Sequence, residues 1–336
     1  MKRFMFTMFI ATLSLTAHSQ QEQLDHMNEL TETFENLKTD LWGYMKAITQ
    51  GKKARTVEKK RISLVNQYKE EKSRVSKIKS SELQVAMMDY LDLSITVLDE
   101  DFSKILDMED IAEQSYDAME AYMMAKEQAS EKLNQASDEV LTVQVSFAAA
   151  NGITLLEEEG DEITKKIEKA SNALSYYNEI YLIYFKPFKQ EAYALDAINA
   201  IDVNALDQNI SSLESSAMEG MAKLKELGSY EGNSGLKVAT DKMMKFYLKE
   251  AEESFPDISQ FFMAKERFDK AAEVVNSKNK KKLTQDDVDK YNSASEEYNS
   301  AVEAYNSSIE KSNAERERTL EAWNKAVEKF FELHTD

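Results

Sequence analysis

Two prolines and eight glycines are spread over 336 residues, so the chain offers few places at which a helix can be broken. Glu, Lys, Ala, Leu, Gln and Met dominate between those breaks, and Val and Ile never gather into alternating runs. Both facts predict an all-α protein with no sheet. The spacing predicts helices over about 22–49, 53–79, 82–101, 104–150, 161–201, 204–228, 235–254, 257–277 and 285–334. Gly51, Asn151-Gly152, Gly160, Asp202 and the Gly228, Gly232 and Gly235 cluster mark the breaks.

The chain also resembles itself. Shifting residues 42–122 by 153 positions lays Trp42 on Leu195, Met45 on Ile198, Leu83 on Leu236, Val85 on Val238 and Phe102 on Phe255. Ser103, a good N-cap, falls on Pro256, a good first-turn residue, so both halves start a helix at one register. Beyond that point the shift becomes 176, which implies an insertion around "NSKNKKKLTQDD" at 276–287, bounded near 276–294. The expected organisation is two tandem antiparallel helical bundles related by an internal repeat, at 20–155 and 156–336.

Residues 1–19 read as a secretory signal peptide. Lys2 and Arg3 precede an apolar run from Phe4 to about Leu15, and Ala17 and Ser19 place small residues before a cut at Gln20. That run is too short to cross about 30 Å of hydrocarbon, and no later segment reaches ~20 apolar residues. The expected location is the periplasm or cell surface. With no cysteine in the chain, a lipobox anchor, disulfides and thiolate metal sites are excluded. Removing Lys2 and Arg3 takes the formal net charge from −19 to about −21. Such a field repels nucleic acid and anionic membrane surfaces.

Two helices stand out. In "YNSASEEYNSAVEAYNSSIEKSN", 291–313, Tyr291, Tyr298 and Tyr305 recur every seven residues on a stripe with Ala294, Ala301, Val302 and Ile309. The stripe meets polar residues through "SNAERER" at 312–318 and resumes at Leu320, Trp323, Val327 and Phe330. Tyr facing Ala makes a weak seam, so this reads as the last wall of a bundle, not a zipper. The expected state is a monomer, with 291–330 as the segment through which any weak dimer would form. The second helix is "LSYYNEIYLIYFKPFKQEAYALDAI", 174–198. Its aromatic face is broad, and Pro187 should kink it near Ile183. Core packing is the plain reading of that face. The functional alternative is a pocket for an apolar or lipid-like ligand lined by Tyr177, Tyr181, Tyr184, Pro187 and Phe188.

"GKKARTVEKKR" (51–61), "DMEDIAEQSYDAMEAY" (107–122), "FAAANGITLLE" (147–157) and "YYNEIYLIYFKPFKQEAYALDA" (176–197) together carry a resemblance. Over most of its length the chain resembles an uncharacterised family of exported, all-helical bacterial surface proteins. The resemblance implies an envelope location and a two-unit helical fold. It carries no reaction, ligand or site residue.

Chemistry is sparse. His26 and Glu29 have the only helix-face spacing for two metal ligands, and a helical di-metal centre needs more. Serine-triad, phosphate-loop and dinucleotide motifs are missing. The acidic runs 157–162 and 286–289 lack calcium-loop spacing, and the methionine pairs at 87–88, 123–124 and 243–244 suit cores better than copper. The basic stretch 51–61 reads as a helix start with Glu58 as partner. No cofactor or metal is expected. The predicted role is non-enzymatic binding or scaffolding with an unidentified envelope protein, and the apolar-ligand carrier is the alternative. A carboxylate-only hydrolase comes last, since it would need a buried carboxyl pair of raised proton affinity beside a cleft.

Overall fold

The computed structural model describes residues 8–12, 18–158, 160–277 and 282–335. The chain is all-α, with helices α1 His18–Thr49, α2 Ala54–Val75, α3 Glu82–Thr96, α4 Phe102–Asp107 and α5 Glu109–Ala112. These are followed by α6 Tyr116–Ala150, α7 Glu162–Ala200, α8 Val203–Glu226, α9 Gly235–Lys249, α10 Phe255–Ser277 and α11 Gln285–Thr335. The breaks fall where the sequence puts them. Gly51 and Gly152 adopt φ +57° and +66°, the left-handed conformation that ends a helix at low cost for glycine. Asp202 opens α8, its carboxylate accepting from Ala205 N–H at 3.0 Å.

Three local features depart from the expected pattern. The predicted helix 104–150 is interrupted, because Ser115 takes an extended conformation and its hydroxyl caps α6 by accepting from Ala118 N–H at 3.2 Å. A two-stranded antiparallel ribbon pairs β1, Met8–Thr12, with β2, Thr154–Glu158, in the register Met8 to Glu158 and Thr12 to Thr154. No sheet was expected. Short β-rich runs separated by 142 residues find each other only through the folded chain. Residues 1–7 and 13–17, which hold most of the expected leader, lie outside the described residues, as do 278–281 within the expected insertion.

The third feature is a pair of π-helical turns. α3 runs into Val97–Asp101 and α9 into Glu250–Ser254, where Phe102 N–H and Phe255 N–H each reach back five residues, to the carbonyls of Val97 and Glu250. The starts and ends of α3, α9 and both turns differ by 153 positions throughout. Pro256 follows the second turn and Ser103 the first, so proline is not what opens the ladder.

Packing density divides the chain into two compact units, one running to Asn178 and taking in Phe331 onward, the other covering Glu179–Phe330. The sequence places the boundary at 155–156. The observed division falls inside α7, whose 39 residues serve both units. In the first unit α1 packs on α2, α2 on α3 and α3 on α6. Leu30, Leu64, Leu83, Met87, Leu91 and Val140 close its core, and the Tyr68 and Tyr90 hydroxyls meet at 3.0 Å within it. Arg61 is buried and donates to the Leu98 carbonyl at 2.5 Å while pairing with Glu58 at 2.7 Å. The basic stretch thus ends in a cation that satisfies a carbonyl of the first π-turn. His26 shares a 2.8 Å hydrogen bond with Ser81, the N-cap of α3.

In the second unit α8 packs on α9 and α10, with Leu206, Leu213, Leu224, Met244, Tyr247 and Phe255 fully enclosed. The tyrosine heptad of α11 lies along α10. Phe268 stacks on Tyr298 at 5.1 Å and touches Tyr291 at 5.7 Å, and Phe261 meets Tyr305 at 4.3 Å. Between Ala264 and Ala301 the described residues include none that is fully buried, so this stretch is a two-helix hairpin whose seam is its ladder of rings. Such a ladder is the hairpin's main apolar cohesion. Phe268→Ala should therefore cost about 2 kcal/mol of local stability. Hydrogen exchange should speed up across 265–300 and stay unchanged in α8 and α9.

Candidate functional site

The second π-turn opens on Glu250, which continues the buried stripe that α9 carries through Leu236, Thr240, Met243 and Tyr247 and is 1% exposed. Glu191, from the centre of α7, is 4% exposed. α11 supplies the counter-charge. Arg316 Nε donates to Glu191 Oε1 at 2.5 Å, and its Nη2 donates to Glu250 Oε1. Ser312, one turn earlier on α11, donates its hydroxyl to the same Glu250 oxygen. Arg316 Nη1 is held by Asn313 Oδ1, and the guanidinium lies 5.8 Å from the Phe246 ring centroid. Glu250 Oε2 makes no hydrogen bond within the protein.

The electrostatics follow from the count of charges. One guanidinium cannot neutralise two buried carboxylates. Burial, and then the neighbouring Glu191 charge, push the Glu250 carboxyl up to about 9, with Arg316 and Ser312 pulling the other way. At neutral pH Glu250 is therefore protonated, and Arg316 bridges the two carboxyls. Burial likewise holds the Tyr247 hydroxyl well above its ordinary value.

Beside Glu250 the unit opens into a cavity of about 310 Å³. Phe246, Lys249, Glu253, Ser254 and Asp257 line one side, from α9 through the π-turn into α10. α11 lines the other with Ser307, Ser308, Lys311, Ser312 and Glu315. Lys249 bridges to Glu315 at 2.7 Å, and Ser308 donates to Asp257.

The aromatic residues singled out in the sequence lie elsewhere, and none of them lines this cavity. Tyr177 belongs to the first unit and packs on Phe331 at 5.0 Å. Tyr184, buried, stacks on Trp323 at 4.0 Å and on Phe188 at 5.5 Å, and Tyr181 stacks on Phe185 at 5.7 Å. Pro187 is buried within α7, which runs unbroken through it. Trp323 is anchored in turn by Nε1 donating to Thr240 at 3.1 Å.

Sequence reasoning missed Glu191, Glu250 and Arg316, which are drawn from three separate helices. A signal was present: "SNAERER" interrupts the apolar stripe of α11, and Ser312, Asn313 and Arg316 are the residues that face the carboxyls. A second signal was the 153-residue register, which sets Glu250 against Val97. Comparison with family models, curated proteins and solved structures returned no match.

Two outcomes follow for stability. Glu250 titrates at 4.5 when unfolded and at about 9 when folded, so unfolding releases a proton between those values. Stability should fall as pH rises through that window and level off above it, and Glu250→Gln should flatten the slope in denaturant titrations at stepped pH. Arg316→Ala leaves the buried carboxyl pair without its cation and should cost about 3 kcal/mol in the same assay at neutral pH.

Proposed function

We propose that this chain is an exported, all-helical envelope protein that acts by binding, without turnover, and that the second unit carries its binding pocket. One observation carries the reading. Two π-turns stand 153 residues apart in matching helical contexts, and the first buries Val97 where the second buries Glu250. At the first turn a valine stands where the carboxyl does, so the fold itself does not require Glu250, its arginine or the cavity beside it. The matched bounds of α3 and α9 also support descent of the two halves from one duplicated unit. In that account the second copy diverged towards recognition while the first kept an apolar residue at the turn.

The arrangement of charge favours binding over catalysis. A general acid or base must change its protonation as the reaction proceeds. The buried pair beside the cavity meets the condition set for a carboxylate-only hydrolase. Arg316, however, fixes one oxygen of each carboxyl, which leaves Glu250 as the one member placed to exchange a proton where such a reaction needs an acid and a base. An apolar-ligand role for Tyr181, Tyr184 and Phe188 would require rings now stacked on Trp323 and on one another to part. Export rests on the leader-like residues 1–19 and on the resemblance to exported surface proteins. No described helix is long and apolar enough to cross a membrane. The partner or ligand would meet the protein in the periplasm or at the surface.

The test is a thermal-shift panel of amino acids, sugars, nucleotides, dicarboxylates and amines, run on the full chain and on Ser307→Trp, which fills the cavity from α11. At least one class should raise the melting temperature of the parent and leave the variant unmoved. A panel that shifts neither protein, or both equally, overturns the reading.

A further inference from the structure

The wall of the cavity is biased towards one sign of charge. It carries the carboxyls of Glu250, Glu253, Asp257 and Glu315 against the ammonium groups of Lys249 and Lys311. Lys249 and Glu315 satisfy each other, which leaves the carboxylates of Glu253 and Asp257 facing Lys311, with the protonated Glu250 behind them. The Ser254 and Ser307 hydroxyls add acceptor capacity. The deepest of the carboxyls is incompletely used. Glu250 is 1% exposed, yet its Oε2 has no hydrogen-bond partner, a condition that costs free energy in a protein interior and calls for a partner.

We propose that the cavity takes a compact organic cation, a primary or secondary ammonium on a polar chain, with Glu250 as its deepest acceptor and Glu253 and Asp257 flanking it. This deepens the binding reading and rests on it. About 310 Å³ sits at the small end of ligand pockets, which suits a short chain, not a drug-sized or lipid molecule. The formal net charge of −19 draws cations towards the chain and repels anions. The contrast with Val97 supplies the reason for a carboxyl at this turn: it is the group that a cation needs and the fold does not.

Cation and proton compete for the same carboxyl. An arriving ammonium favours the charged form of Glu250, so binding releases a proton near neutral pH. The groups bearing on that exchange come from every packed element. α7 presents Tyr184 and Glu191, α9 presents Tyr247 and Lys249, and the π-turn and α10 present Glu253 and Asp257. α11 presents Lys311, Glu315 and Arg316, while the buried face of α8, including Leu213, Ser216 and Gly220, brings no charge.

Calorimetric titration of the full chain near neutral pH tests this, with putrescine and spermidine as probes, succinate and glucose as comparisons, and two buffers of different protonation heat. The amines should bind saturably and release a proton, and the comparisons should not bind. Glu250→Gln should weaken amine binding about tenfold or more. Glu250→Val, carrying the residue found at the first π-turn, should do the same while melting cooperatively. If Glu250→Val does not fold, the glutamine variant decides alone. Absence of saturable amine binding, or unchanged affinity in Glu250→Gln, overturns the cation assignment. Binding of succinate or glucose in place of amines overturns it too, but leaves the pocket reading standing, which falls only on the Ser307→Trp panel.

Discussion

A single backbone hydrogen bond, from Phe255 N–H to the Glu250 carbonyl five residues back, marks the turn at which the buried carboxyl, its cavity and α10 meet. In a regular helix that donor would meet the carbonyl of residue 251, and the side chains of the following turn would be phased differently. The extra residue rephases the chain from Phe255 onward, while Glu250 stays on the buried stripe that α9 carries into the turn. The cavity lies beside that turn, with α11 as its other wall.

The twin turn shows how such a change is stabilised with a buried cation and no buried carboxyl. At Val97–Asp101 the freed carbonyls are met from outside the turn by Arg61, whose own charge is balanced by Glu58 near the surface. In the second unit the cation comes from α11 and serves side chains in place of backbone. Arginine is suited to both tasks because its planar fork presents several donors while its stem packs on apolar surface. The difference is where the balancing carboxylates sit. Near solvent they ionise freely, and buried they must share one guanidinium between them.

Much of the fold was legible because helix breakers are scarce and the few present act locally. Gly51, Gly152 and Asp202 end or start helices for reasons contained within four residues of themselves. The interruption before α6 was missed because Ser115 caps a helix inside a run that is otherwise good helix former, and nothing nearby breaks it. The ribbon of Met8–Thr12 with Thr154–Glu158 was illegible for the opposite reason, being wholly non-local. The aromatic face of α7 was correctly located as apolar, but periodicity cannot say whether rings surround a void or one another. The carboxyl pair was hardest, since Glu191, Glu250 and Arg316 are ordinary helix residues until three helices bring them together. Only the polar gap at 312–318 and the odd match of Glu250 with Val97 carried a trace of it.

The hairpin of α10 and α11 has rings spaced by seven along one strand of its seam, at Tyr291, Tyr298 and Tyr305. A seven-residue step is close to two helical turns, so one such step can be added or removed while the remaining rings keep their phase. Because no described residue between Ala264 and Ala301 is fully enclosed, the change would not reach the core. The hairpin is in effect a telescoping element, whose reach evolution can reset in increments of about 10 Å with the unit beneath it untouched.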